Sequence, residues 1–221
     1  MLKTIVTIGP TYEPLDQVRR LTNHSTGRLG TELANHLVSN GIAVTVLKGY
    51  YTTFQGLNPA VCKLDFTTTD SLAIALRKLS TESHYDAVFH AAAVSDFRFG
   101  KVSHQEQPAE TNEPQGKIST RSGPLTVELI PTKKVLRELR GLFPKAFLAG
   151  WKYEVDGNRD STLAKCRHQL QDNQTDLSIG NGPAYGEGFG IVARSGETHH
   201  VENRARLYDA LLTKLQGLPA E

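Results

Sequence analysis

The sequence predicts an α/β fold: a Rossmann-like three-layer sandwich with a mainly parallel central sheet and an added antiparallel hairpin. Three observations predict it. Short strand-like segments alternate with helical ones along the chain, the order that builds βαβ units around a parallel sheet. In Phe89-His90-Ala91-Ala92-Ala93 the apolar residues run into three alanines, and polarity then flips to Ser95-Asp96-Phe97-Arg98. A strand buried on both faces reads as such a continuous run, and ligands of open α/β sheets bind just past its carboxyl end. Finally, 221 residues suffice for one domain with a full core.

The elements follow in order. Lys3–Ile8 reads as a strand, Arg28–Asn40 as a helix stopped by Gly41, and Ala43–Lys48 as the second strand. Cys62–Phe66 is the third strand, followed by a helix over Ser71–Leu79 with Asp70 as its N-cap. Asp86–Ala91 is the fourth strand. Leu125–Ile130 alternates and reads as an added strand, after which Pro131-Thr132 opens a helix over Lys133–Arg140. Phe147–Gly150 returns to the sheet, and a helix capped by Asp160 or Ser161 covers Ser161–Gln171. Asp176–Ile179 is the last buried strand. Gly190–Ala193 and Thr198–Val201 flank a hairpin turn, and Asn203–Leu215 closes as a helix before Gly217. Phe99–Gly116, rich in Gln, Glu, Pro and His, is expected to be unstructured; loops that long are functional or disordered, and a flexible lid over about 99–121 fits its place after the opening motif.

Composition narrows the classes of function. A formal net charge of +2 without a basic run interleaved with aromatics argues against nucleic acid. No apolar run is long enough to span a bilayer. Cys62 and Cys166 lie far apart without Cys-x-x-Cys spacing, so a disulfide or metal framework is not expected. Both read as packing residues, and a reducing cytoplasm is the default.

The first strand-to-helix connection excludes an NAD fingerprint. A Gly-x-Gly-x-x-Gly turn joins strand to helix within a few residues, whereas here the 18 residues Gly9–Thr26 intervene, with only Gly27 and Gly30 near the helix start. Lys48 stands where an acid would hold a ribose, and no Tyr-x-x-x-Lys pair exists, which disfavours an NADP-dependent reductase. Ser25-Thr26-Gly27-Arg28 suits phosphate, because hydroxyls and free N–H groups at a helix N-terminus attract anions; Ser25 or Thr26 serves equally as a plain N-cap. Arg19 is able to hold a carboxylate or phosphate bidentately, and the Asn23 amide to steady an oxyanion. A solvated loop with a turn-forming Asn fits the same residues.

Taken together, Thr7–Arg19, Thr22–Gly30 and Ala91–Arg98 resemble the phosphopantothenate–cysteine ligases of coenzyme A biosynthesis, in order and in spacing. Gly150-Trp151-Lys152-Tyr153-Glu154 and Asp176–Asn181 are similar to two later elements of that family. The resemblance covers nearly the whole chain and is to a free-standing form without the flavin-dependent decarboxylase half.

The resemblance implies an enzyme that joins 4'-phosphopantothenate to cysteine. The substrate carboxylate attacks the α-phosphate of a nucleoside triphosphate, CTP in preference to ATP, with Mg²⁺ as cofactor. Pyrophosphate leaves, and the cysteine amine traps the acyl-nucleotide. Carried over, Ser25, Thr26 and Gly27 cradle phosphates. Ala92, Ala93 and Asp96 hold the nucleotide, Trp151 lies near its base, Asn23 stabilises the acyl-nucleotide, and Arg19 binds the phosphopantothenate anion. No residue is assigned as a metal ligand. Lys117 matches the first lysine of the family's Lys-x-Lys-Lys lid, while Ser119 and Thr120 replace the later ones and Arg121 restores one charge. The family also implies a homodimer. The altered lid keeps a second reading open, a diverged nucleotide-binding relative that activates another carboxylate.

Overall fold

The computed structural model describes residues 1–104, 107–111, 116–119, 121 and 123–219. In chain order the strands are β1 Lys3–Ile8, β2 Tyr12–Pro14, β3 Arg20–Thr22, β4 Ala43–Gly49, β5 Cys62–Phe66, β6 Ala87–His90, β7 Phe97–His104, β8 Gln107–Thr111, β9 Leu125–Pro131, β10 Phe147–Tyr153, β11 Leu177–Asn181, β12 Phe189–Ala193 and β13 Thr198–Val201. The helices are α1 Arg28–Ser39, α2 Thr69–Glu82, α3 Val135–Leu142, α4 Arg159–Asn173 and α5 Arg204–Gln216. The central sheet runs β13-β12-β11-β10-β6-β1-β4-β5. From β5 to β11 every pairing is parallel, and β12 and β13 add the antiparallel hairpin. The fold class and the hairpin are those the sequence predicts.

Alternation along the strands sorts side chains between two helix layers. Val6, Ile8, Val44, Phe89 and Ile179 pack with Leu33 and Leu37 of α1 and with Leu207 and Leu211 of α5. Ile5, Leu47, Val88 and Leu148 face Leu72 and Leu76 of α2 and Leu139 of α3 on the other side. α4 lies beside α3 and covers β11 and β12 through Cys166 and Leu170. Gly30 permits the closest approach of helix to sheet, since a Cβ there would lie 2.4 Å from Ile8 Cγ2. None of the described helices is long and apolar enough to cross a membrane.

Several local expectations are corrected. The stretch after Phe97 is not a structureless loop: β7 carries it to His104 and pairs with β8 and β9 in a separate antiparallel sheet. β9 belongs to that sheet rather than to the central one, and positions 105, 106, 112–115 and 120 of the expected lid lie outside the described residues. Thr68, not Asp70, caps α2, because its side chain reaches Ser71 N at 3.1 Å. Asn158 caps α4 in a capping box with Ser161. α3 starts at Val135, later than expected, since Pro131 ends β9 and Thr132 donates to Ser95 O at 2.5 Å. β6 ends at His90, and Cys62 is exposed on the edge strand rather than packed.

The core makes a direct prediction. Leu37→Ala, at a fully buried position of α1, lowers the unfolding free energy by about 2–5 kcal/mol in a urea titration. Ile74→Ala, on the exposed face of α2, stays within about 0.5 kcal/mol of wild type.

Candidate functional site

The site is built outward from the end of β1. Gly9 turns the chain with φ +76°, and a Cβ there would lie 1.9 Å from Thr52 Oγ1. Past the strand ends, Ala93 N donates to Gly9 O at 3.0 Å and Thr11 N to Ala93 O at 3.1 Å. Ser95 N then donates to Thr11 Oγ1 at 2.8 Å. The turn after β6 is thereby zipped onto the turn after β1.

The long first connection folds back over this turn as the β2–β3 hairpin. Thr22 Oγ1 donates to Thr11 O at 2.8 Å, and Asn23 Nδ2 donates to Val94 O at 3.0 Å. Asn23 therefore stands directly on the Ala92–Asp96 turn, with the second N–H of its amide unpaired among the described residues. Gly27 follows with φ 77° as the residue before α1. Among its neighbours, Thr26 Oγ1 accepts from Arg28 N at 3.3 Å, and no acidic residue occupies the first turn of α1. Free N–H groups and an uncontested dipole end remain there for an anion.

A cleft of about 620 Å³ opens on the other side of the same turn. Ala92, Asp96 and Trp151 line it, together with Lys133, Lys134 and Arg137 of the α3 start and Lys165 of α4. The structure thus divides the predicted nucleotide residues. Ala92, Asp96 and Trp151 meet the cleft, Ser25, Thr26 and Gly27 sit at the α1 terminus, and Ala93 joins the two. Trp151 reaches the cleft, but its ring packs with the α1–α5 core and its buried Nε1 has no partner among the described residues. Asp96 pairs with Lys134 Nζ at 2.5 Å. Glu154 holds two cations of the β10–α4 side, Lys152 at 3.2 Å and Lys165. Burial raises the pKa of Glu154, but the hydrogen bonds and charges of those lysines outweigh it and the net direction is down. Cations dominate this cleft, which favours a polyanionic ligand. Among the described residues no group of His, Cys, Asp and Glu forms a metal cluster.

Arg19 and Lys117 are linked by a residue that sequence reasoning missed. Asp16 is buried and accepts from Val18 N at 2.8 Å, from Arg19 N at 2.7 Å, from the Arg19 guanidinium, and from Ile118 N at 3.2 Å. Gln17 N donates to Gly116 O at 3.1 Å, and Arg19 Nη2 to Ile118 O at 3.0 Å. Lys117 is clasped from both sides while its own side chain stays exposed. Arg19, expected to meet the substrate anion, keeps Nε and Nη2 on protein partners and leaves Nη1 without one among the described residues. The Arg19 side chain holds Asp16 far below the usual carboxylate range against the opposing effect of burial.

His90 is a second residue to which the sequence motif assigns no role. It ends β6, lines the cleft, and its Nδ1 lies 2.9 Å from Thr7 Oγ1. Burial lowers its pKa from 6.5 to about 4, so the imidazole is neutral at pH 7.

The sequence and the fold have counterparts among known proteins. The sequence model of the DNA/pantothenate metabolism flavoprotein C-terminal domain matches residues 1–207. A coenzyme A biosynthesis bifunctional protein CoaBC from Thermococcus kodakarensis is 28% identical over 81% of this chain and 41% of that relative. The chain spans about half, or less, of the length of the curated relatives it matches. The crystal structure of a DNA/pantothenate metabolism flavoprotein from Streptococcus pneumoniae aligns with a TM-score of 0.84 at 26% identity, covering 98% of this chain and 99% of that one. A Cab2 mutant in complex with phosphopantothenate-cysteine shares the fold at a TM-score of 0.73 and 21% identity, covering 97% of this chain and 87% of that one.

Two outcomes test the site's physics. Asp16→Asn weakens the clasp, so hydrogen exchange at the Ile118 and Arg19 amides accelerates at least about tenfold while exchange in β1 is unchanged. For His90, the unfolded chain takes up a proton below pH 6.5 and the folded protein does not. The contribution of His90 to stability is therefore complete above 6.5 and shrinks as pH falls toward 4, by at most about 3 kcal/mol. Urea midpoints from pH 7 to 4.5 fall less steeply in His90→Gln than in wild type.

Proposed function

The chain belongs to the DNA/pantothenate metabolism flavoprotein C-terminal domain family, and from that membership we propose that it joins 4'-phosphopantothenate to cysteine through an acyl-nucleotide. The observation that carries this reading is the docking of Asn23 on the Val94 carbonyl. It sets an amide donor between the anion-receptive α1 terminus and the cationic cleft. The name of the CoaBC relative and the product held by the Cab2 mutant support the choice of substrates.

In this mechanism the nucleoside triphosphate lies across the Ala92–Asp96 turn. Its nucleoside enters the cleft beside Ala92 and Asp96, and its phosphates reach toward Ser25, Thr26 and Gly27. Bringing a carboxylate to an α-phosphate sets two anions together, so positive charge must be concentrated there. Lys117, exposed on a segment whose backbone is clasped at both flanks, supplies a cation for the step that expels pyrophosphate. The Asn23 amide then holds the acyl oxygen while the cysteine amine attacks, and the nucleoside monophosphate leaves as the amide forms. Arg19 contributes through Nη1 and fixes the clasp through its other nitrogens. Mg²⁺ neutralises triphosphate charge when bound, and the exposed carboxylate of Asp96 suits it by chemistry, although Lys134 holds that group here.

CTP is the favoured nucleotide and ATP the alternative. The enzyme acts as one nucleotide-binding ligase unit, assembles as a homodimer and works in the cytoplasm. The thinned lid is compensated by the lysines of the α3 start, Lys133 and Lys134.

Purified protein incubated with Mg²⁺, phosphopantothenate, cysteine and CTP or ATP releases pyrophosphate and forms the amide by mass spectrometry; absence of product with either nucleotide from folded protein overturns the reading. Lys117→Gln slows acyl-nucleotide formation by about 10²-fold or more, and Asn23→Asp accumulates the acyl-nucleotide in a quenched single turnover. Full activity in both variants removes these two roles.

A further inference from the structure

We propose that His90 donates its Nε2–H to a hydrogen-bond acceptor on the base of a nucleotide seated in the cleft, and thereby helps select that base. The inference rests on the nucleotide reading above and adds to it a residue that reads the ligand.

The strand register fixes where the imidazole lies. His90 pairs with Gly150 across the parallel β6–β10 ladder, so the two residues address the same face of the sheet. That face carries α3 and α4, because a Cβ on Gly150 would meet Leu136 at 2.9 Å and Gln169 at 3.2 Å. Phe89, one residue earlier, points into the opposite core. His90 thus forms a section of the cleft floor beside Ala92.

Hydrogen bonding fixes its tautomer. Thr7 is fully buried, and its Oγ1 accepts Ala92 N–H at 3.1 Å. The same oxygen lies 2.9 Å from His90 Nδ1. A proton on Nδ1 would leave the Thr7 hydroxyl hydrogen buried without an acceptor, at a cost of about 1–3 kcal/mol. The arrangement that satisfies every group has Thr7 donating to Nδ1, which places the ring proton on Nε2.

Nε2 makes no protein hydrogen bond among the described residues. Nor does it belong to the sealed, unpartnered polar atoms of the interior, among which Trp151 Nε1 is counted. An unpartnered donor on a residue that lines a cleft faces the cleft. Burial keeps the ring neutral at pH 7, so Nε2–H donates and does not accept. It matches a carbonyl oxygen or an unprotonated ring nitrogen and rejects an exocyclic amino group, the discrimination by an unpaired buried donor that underlies specificity.

The test separates this role from scaffolding. Glutamine carries an amide N–H toward the position of Nε2, whereas asparagine reaches only the position of Nδ1 and keeps the Thr7 contact. Calorimetric titration with CTP and with ATP is expected to show His90→Asn weakened about five- to tenfold and His90→Gln restored to within about threefold of wild type. Affinity for inorganic tripolyphosphate, which has no base, stays the same in all three. A purely structural role through Thr7 predicts the reverse order, and that order, equal affinities, or a loss shared by tripolyphosphate each overturns the proposal. Nitrogen-15 NMR of wild-type protein gives a check independent of any variant. The Nε2–H tautomer is expected, with an Nε2 resonance that moves on saturation by the nucleotide. An Nδ1–H tautomer, or an unmoved resonance with nucleotide bound, removes the role of His90 and leaves the nucleotide reading standing. Failure of wild type to bind either nucleotide overturns both.

Discussion

Two backbone hydrogen bonds, Ala93 N to Gly9 O and Thr11 N to Ala93 O, are the constraint on which the rest of the site depends. They extend the β1–β6 pairing beyond both strands, at the point where each chain must turn away from the sheet. They set the register of the Ala92–Asp96 turn, which Ala92 N to Thr7 Oγ1 and Asn23 Nδ2 to Val94 O then hold against β1 and the hairpin. Gly9 makes the junction possible, since its left-handed φ and the adjacent Thr52 leave no room for a Cβ. Thr11, buried behind it, binds Ser95 N through its side chain and Thr22 through its carbonyl, so one residue ties both neighbouring segments to the junction.

Asp16 anchors the next layer outward in the same way. Its carboxylate satisfies two amides within the hairpin turn, Val18 and Arg19, and one amide about a hundred residues away at Ile118. A buried carboxylate demands such partners, because an unpaired charge out of water is costly. The demand is useful here: it fixes the backbone just after Lys117, while Gln17 N holds Gly116 O just before it and the lysine side chain stays in solvent. Positioning of an exposed cation by a buried anion through the backbone separates placement from chemistry. It also accounts for the two nitrogens that Arg19 commits to the protein.

The cleft follows a different logic. Its positive charge comes from the start of α3, from Lys152 of β10 and from Lys165 of α4, elements with no sequence proximity to the Ala92–Asp96 turn. Pairing of Asp96 with Lys134 and of Glu154 with Lys152 and Lys165 keeps these long side chains ordered over a polar surface. His90 supplies the contrasting element, an uncharged donor in the floor beneath a charged rim. A polyanion with an aromatic head is the ligand such a division suits, since charge attracts one end and directional hydrogen bonding orients the other.

The sequence by itself determined the layers. Each strand and helix of the central sandwich is written in runs and periods of apolar residues, because burial on one or both faces acts locally on residue choice. The Ser25–Gly27 turn, Asn23 and the Ala92–Asp96 run were legible for a related reason, as short contiguous stretches whose backbone conformation restricts their own residues. Tertiary structure alone decided the partners. Nothing near Phe99 announces that its continuation pairs with Leu125–Pro131, because antiparallel pairing across a long connection leaves only weak alternation in polar strands. Asp70 and Asp160 were plausible caps by composition, and Thr68 and Asn158 displaced them once the chain's entry into each helix was fixed. His90 carried no local signal, and Asp16 only that of an aspartate closing its own turn on Val18 and Arg19. An aspartate in a loop and a histidine at a strand end become an anchor and a donor only when Ile118 and Thr7 are brought to them, and contacts over such separations are set by packing of the whole chain.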